Sequence, residues 1–292
     1  MPLFGRADGK VIRGLAPVRR MIPYLMKTRN ESVVYYEIIL DMTRTLPFIE
    51  QWNAGHDLKI TPFHLIMAAC GKMFHARPGL NRFVSGGRIY QRKGCFISFA
   101  AKKAFKDDAP LLTVKFELPP GEALADTVRR LHESVGGART GPERPVDKEV
   151  RWAVKLPGFL LRAALWAMIR LDRWNILPGG VTRNDPMYAS MFVANLGSVG
   201  LDRAWHHLYE YGTVSVFTVI GALRKSVVPG DLAPMQKDTV GLRFSFDERI
   251  NDGFYCAAAL DIIRAYVEDP TLFETQPEPP PAGVRRMLAA GL

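Results

Sequence analysis

Asp247-Glu248-Arg249-Ile250-Asn251-Asp252-Gly253 is the stretch on which the reading of this chain turns. Before it, Val240 to Phe246 sets Val, Leu, Phe and Phe alternately against Gly, Arg and Ser, the period-two pattern of a half-buried strand. After it, Gly253 to Glu268 reads as a helix. The charged segment therefore joins a strand to a helix. Upstream, the β-rich run Met191 to Asn195 leads into Asn195-Leu196-Gly197.

Further β-rich runs lie at Val33 to Leu40, Cys95 to Ala101, Leu111 to Leu118 and Thr213 to Ile220. Thr61-Pro62 opens a helix, with Thr as N-cap and Pro at the first helical position. Phe63, Ile66, Met67, Cys70, Met73 and Phe74 follow at three- and four-residue spacing, the mark of an amphipathic core helix. Gly121 to Val135 reads as another helix, and Gly136 to Val150, polar and rich in Gly, Pro and Arg, as an exposed loop. Strands and helices interleave throughout, which predicts an α/β domain with a mixed sheet layered with helices. That domain is expected to span residues 1–273, with a hydrophobic helical insertion near 152–180. Residues 274–292 are expected to form a Pro-rich linker and a short tail.

The 292 residues are 48% hydrophobic and 23% charged, ample for a large core and unlike a disordered chain. A net charge of +10 biases the surface toward anionic partners without choosing among them. Cys70, Cys95 and Cys256 form no C-x-x-C, which argues against a disulfide framework or a cysteine-built zinc site and fits a reducing cytoplasm. Residues 1–26 lack the apolar core of a secretory signal. The most apolar stretch, Leu156 to Leu177, is interrupted by Arg162, Arg170, Asp172 and Arg173, so a transmembrane span is not expected.

Taken together, Asp247–Gly253 and Phe192–Gly197 resemble the two signature segments of the dihydrolipoyl acyltransferase catalytic domain, a relative of chloramphenicol acetyltransferase. Arg19, Ile22 and Met26 are similar to that family's opening helix, Asp41 to the aspartate closing its first strand, and Pro78-Gly79-Leu80-Asn81 to its P-x-L-N. The resemblance covers about Leu15 to Pro270. It implies a chloramphenicol acetyltransferase-like fold, a homotrimer, and coenzyme A or acyl-coenzyme A as substrate, with neither metal nor nucleic acid. No lipoyl-type module is expected within the chain.

The resemblance breaks at the chemistry. Where the family has D-H-R-x-x-D/N-G this chain has Glu248, and where it has Ser or Thr before N-L-G this chain has Ala194. In the family a His imidazole takes the proton of the attacking thiol or hydroxyl, and the Ser or Thr donates to the oxyanion. Carried over residue by residue, Arg19 and Asp252 would be the ion pair that steadies the loop. Glu248 holds the base position, and Ala194, next to Asn195, the lost donor position. Glutamate is ordinarily a weaker base than histidine by about two units. The alternative reading gives Glu248 a salt bridge to Arg249, Arg243 or Arg19 and no role in chemistry. Ser190, Ser198 and Ser245 are the nearby hydroxyls that could replace the missing donor, although such serines usually satisfy backbone.

His206 and His207 are candidates to replace the base, set against the reading that they pack among Trp205, Tyr209 and Tyr211. Being adjacent, they cannot form an i, i+4 metal face. His64 and His75 would share a helix face but lack a carboxylate at ligand spacing, so no metal is proposed. Cys95 reads as buried packing rather than as a nucleophile. No G-x-G-x-x-G after a strand, G-x-x-x-x-G-K-S/T or G-x-S-x-G occurs, which removes support for nicotinamide, nucleotide-hydrolase and serine-hydrolase chemistry. The helix expected from Pro157 to Arg173 is apolar nearly all round and must be covered. Its covers would be the chain's own core, a neighbouring subunit, a long acyl chain beneath a lid, or a membrane interface. Function is thus read as acyl transfer that is weak, altered or lost, or as a non-catalytic trimeric scaffold with peripheral membrane contact.

Overall fold

The computed structural model describes residues 5–102, 111–140, 151–228 and 233–278. Nine strands form two sheets among these residues. The larger has the order β2-β9-β8-β7-β5-β6, comprising β2 (Val33–Asp41), β5 (Phe96–Lys102), β6 (Leu111–Glu117), β7 (Met191–Asn195), β8 (Val216–Val228) and β9 (Met235–Asp247). β7 runs parallel to both β5 and β8, and the remaining pairs are antiparallel. The smaller sheet joins β1 (Gly9–Val11), β4 (Arg88–Arg92) and β3 (Arg82–Ser85).

Alternation along the strands sorts the two faces of the large sheet. Leu242, Phe244 and Phe246 of β9, Ile38 and Leu40 of β2, and Met191 and Val193 of β7 point to one face. There they form one core with α3 (Pro62–Ala76) and α7 (Gly253–Glu268). α3 buries an unbroken run from Leu65 to Phe74. Truncating one such fully buried aromatic, Phe244 or Phe246, costs about 3–5 kcal/mol. The odd positions of β2 and β9 face the other way. On that side Phe192, Phe217 and Val219 make a second, smaller cluster with Leu208 from the segment that crosses this face.

Three sequence expectations change. Helix α4 (Leu124–Thr140) continues through Gly136 and Gly137 into the stretch expected to be loop. Each glycine costs about 1 kcal/mol in a helix, but Val135 and Ala138 pack on the main core and offset it. The rest of that expected loop, 141–150, lies outside the described residues. The strand expected to end at Ile220 runs on to Val228, past a bulge between Ile220 and Leu223. Gly221, at the bulge, lets Asp202 come close, since a Cβ there would lie 2.4 Å from Asp202 Oδ1. Helix α2 (Thr45–Gly55), weakly amphipathic, was not expected. The Pro-rich run beyond residue 278 and the tail lie outside the described residues.

Helix α1 (Pro17–Leu25) lies against the small sheet, and the inserted helix α5 (Gly158–Arg173) follows the second gap in the described chain. Only Asp172 of α5 is fully buried. Among the described residues, the core therefore does not cover it. Its C-terminal end is fixed: Arg6 Nη1 stands 2.9 Å from Asp172 Oδ1, and Ser85 Oγ donates to Asp172 Oδ2 at 3.3 Å. Gly86, at φ +55°, lets the β3–β4 turn press on the Arg173 carbonyl, where a Cβ would come within 2.4 Å. Short helices α6 (Gly179–Asn184) and α8 (Leu272–Thr275) complete the element order.

Candidate functional site

The loop after β9 is built around Asp247, whose side chain is fully buried. Arg249 grips it with two hydrogen bonds, Nε to Oδ1 and Nη2 to Oδ2, both 2.8 Å. Ser32 Oγ donates to Oδ1 at 3.2 Å, and Arg249 Nη1 donates to the Met26 carbonyl at 3.2 Å. β9 ends at Asp247, and the Ile250 N–H closes a turn onto the Asp247 carbonyl at 3.1 Å, in which Asp247 and Arg249 are buried and Glu248 between them is half-buried. This clasp escaped the sequence reading. The signal for it was the Asp-x-Arg spacing itself.

Arg19 comes from α1 to the outer side of the loop. Its Nη1 donates to the Glu248 carbonyl at 3.0 Å, and its Nη2 lies 3.5 Å from Asp252 Oδ2. Asp252 also caps α7, Oδ1 accepting from the Tyr255 N–H at 2.9 Å. Arg19, Glu248 and Asp252 are thus one cluster.

The expected salt bridge of Glu248 is not formed. Arg249 is committed to Asp247, Arg243 to Glu37 and Asp202, and Arg19 reaches only the backbone oxygen of Glu248. Among the described residues the Glu248 carboxylate has no ion-pair or hydrogen-bond partner. The Glu248 backbone N–H donates to the Ser32 carbonyl at 3.0 Å, so the residue is held while its side chain is not. Tyr36 stands beside the loop, its hydroxyl 2.7 Å from where a Cβ at Gly253 would lie. Burial pushes the Tyr36 phenol up, and the nearby carboxylates of Glu248 and Asp252 add to that.

Ala194 and Asn195 lie elsewhere. Ala194 pairs with Val219, and Val219 with Arg243, five residues before Glu248. Two strand spacings sideways and four residues along put Ala194 about 16 Å from Asp247 at the end of β9, beyond which Glu248 lies. Both must lie within about 3 Å of one reacting group to act together, so a single chain does not unite them on one thioester. The three nearby serines are occupied: Ser198 Oγ donates to the Asn195 carbonyl at 2.7 Å, Ser190 Oγ accepts the Phe96 N–H at 3.0 Å, and Ser245 Oγ donates to the His206 carbonyl.

The two histidines sit on the second face of the sheet. The His206 ring stacks on Phe217, centroids 3.9 Å apart and 3° from parallel, and its Nδ1 is 2.7 Å from the His207 carbonyl. Burial holds His206 below the ordinary histidine value. His207 Nδ1 lies 3.0 Å from the Leu208 carbonyl. Packing explains both rings. Burial pushes the Cys95 thiol up to about 12, which keeps it protonated and inert. No group of three or more His, Cys, Asp or Glu among the described residues could hold a metal ion. Nor is any helix among them long and apolar enough to cross a membrane.

The chain matches no protein-family model and no curated protein sequence. Solved structures do match. A probable dihydrolipoamide acetyltransferase from Listeria monocytogenes aligns over 89% of this chain and 94% of its own, at 18% identity and a TM-score of 0.58. The Azotobacter vinelandii dihydrolipoamide acetyltransferase aligns over 90% and 94%, at 16% identity and a TM-score of 0.58. A chloramphenicol acetyltransferase aligns over 89% and 98%, at 9% identity and a TM-score of 0.53. The fold implied by the two signature segments is therefore the observed one: the chain has the chloramphenicol acetyltransferase-like fold of acyltransferase catalytic cores.

Proposed function

We propose that this protein transfers acyl groups between coenzyme A and a thiol acceptor, slowly, with Glu248 as the base. One observation carries the reading. The acids on either side of Glu248 in the loop are met by arginine, Asp247 by Arg249 and Asp252 by Arg19, while the Glu248 carboxylate has no partner among the described residues. An unpartnered carboxylate on a clamped backbone is free to take a proton. In the proposed step the acceptor thiol gives its proton to Glu248 as its sulfur attacks the thioester carbonyl carbon. The bond to the coenzyme A sulfur then breaks, and that thiolate leaves with the proton returned from Glu248. Ala194 donates nothing to the oxyanion, and loss of one such donor costs on the order of 100- to 1000-fold in rate.

The separation of Ala194 from Glu248 supports a site completed between copies of the chain, and a homotrimer is proposed on that ground. The three buried, unpaired thiols fit the cytoplasm. Incubating the protein with acetyl-, butyryl- and long-chain acyl-coenzyme A plus free thiol is expected to release coenzyme A. Glu248→Gln lowers the rate at least ~10-fold, and Glu248→His raises it. No release at any chain length, with Glu248→Gln indistinguishable from the parent, overturns the reading.

Ala194 favours a second reading, a non-catalytic trimeric scaffold that keeps the coenzyme A pocket. Under that reading coenzyme A binds by calorimetry while no acyl-coenzyme A turns over.

A further inference from the structure

α5 presents to solvent a face that a water-soluble helix would keep covered. Phe159, Ala163, Trp166 and Arg170 recur at four-, three- and four-residue spacing, on one stripe of the helix. Phe159 is 73% exposed and Trp166 67% exposed. Arg162 and Arg173 flank the stripe, both exposed, and neither has a carboxylate partner among the described residues. Just before the helix, Trp152 is 68% exposed. Residues 151–174 contain five Lys or Arg and a single acid, Asp172, which is turned inward and paired with Arg6. The outward surface is thus apolar, aromatic and wholly cationic.

A second observation points to the same partner. The C-terminal half of α5 forms one wall of a cleft of about 530 Å³, with α1 and the β3–β4 turn opposite. Lys27, Arg88, Arg170 and Arg173 line it without a carboxylate partner among the described residues, and the two carboxylates on its lining are already engaged, Asp172 by Arg6 and Glu210 by the backbone N–H groups of Arg29 and Asn30. Arg170 also lies over the Trp174 ring, 4.9 Å from its centroid.

We infer that this face is a docking surface for an anionic bilayer. Phe159 and Trp166 enter the boundary between headgroups and acyl chains, Arg162 and Arg173 stay at the phosphates, and one headgroup phosphate occupies the cleft. Apolar and anionic media lie within a few ångströms of each other in a headgroup layer, which matches aromatic and arginine side chains interleaved on one stripe. The anchored end of α5 sets how the body is held against the lipid.

Flotation of the full chain with phosphatidylcholine vesicles, with and without phosphatidylglycerol, tests this. Co-flotation is expected with the anionic vesicles at low salt, with a blue shift of tryptophan emission, and is weakened by high salt. Phe159→Ser/Trp166→Ser reduces binding more than ~10-fold, and Arg162→Glu/Arg170→Glu/Arg173→Glu by at least ~5-fold per charge removed. Both variants keep the parent melting temperature, because the altered side chains are exposed. Glu248→Gln floats like the parent, which separates this surface from the proposed chemistry. No flotation with anionic vesicles at low salt overturns the inference. So does equal flotation of parent and both variants, or a parent oligomer that Phe159→Ser/Trp166→Ser dissolves without lipid, which would make a second copy the cover.

Discussion

At residue 248 the chain departs from the second of the motifs it resembles, and the surroundings show that the difference does not simply turn the site into a salt bridge. The backbone is pinned by Ser32 and Arg19 while the carboxylate is left unpaired. That much could not be read from sequence, because Arg249, Arg243 and Arg19 all lie within reach in any plausible pairing and only the fold assigns them. Arg243 faces Glu37 across β2 and β9, which removes it from the Glu248 side. Another residue makes an acid-sensitive contact. His64, at the third position of α3, accepts the Thr61 N–H through Nδ1 at 3.2 Å, and burial holds its pKa at about 4, with His132 nearby adding repulsion. Between the ordinary value of about 6.5 and 4 the unfolded chain binds a proton that the folded chain refuses, so stability falls as pH drops through that window and levels off below it. Partial exposure limits the loss to about 1 kcal/mol, or about 2–4 °C in melting temperature. His64→Gln keeps an acceptor for Thr61 without titrating, and its melting curve is expected to lose less between pH 6.5 and 4.

Among the elements, those with strong local signals stand where the sequence put them. α3 starts at Pro62, β7 runs from Met191 to Asn195, and α7 from Gly253 to Glu268. The misreadings share a cause. α4 continues through two glycines because Val135 and Ala138 find the core, and β8 continues past Gly221 because β9 is there to pair with it. In both cases a tertiary contact overrides local propensity. α5 was legible as an apolar helix but its mooring was not, since the residues that hold it, Arg6, Ser85 and Gly86, lie far back in the chain. Asp172→Ala is expected to cost about 3 kcal/mol, near the low end for breaking a buried pair because Arg6 keeps Asp8. Hydrogen exchange should then rise across residues 158–173 more than across α3. Uniform exchange would mean that the ion pair does not moor the helix.

For the whole molecule, the separation of the two signature segments across three strands has a direct consequence for assembly. If both serve one reaction, separate copies must supply them, and the expected species in sedimentation is three times the 32.7 kDa chain. A monomer that still releases coenzyme A would separate catalysis from assembly. The order of motifs along the sequence conveyed the fold, but it could not convey this distance, which depends on sheet order and register. The cysteines carry one more consequence. Cys70, Cys95 and Cys256 are all interior and unpaired. A chromogenic disulfide reagent should therefore find no reactive sulfhydryl on the native molecule, and three equivalents should appear only on denaturation, a built-in counter of misfolded material.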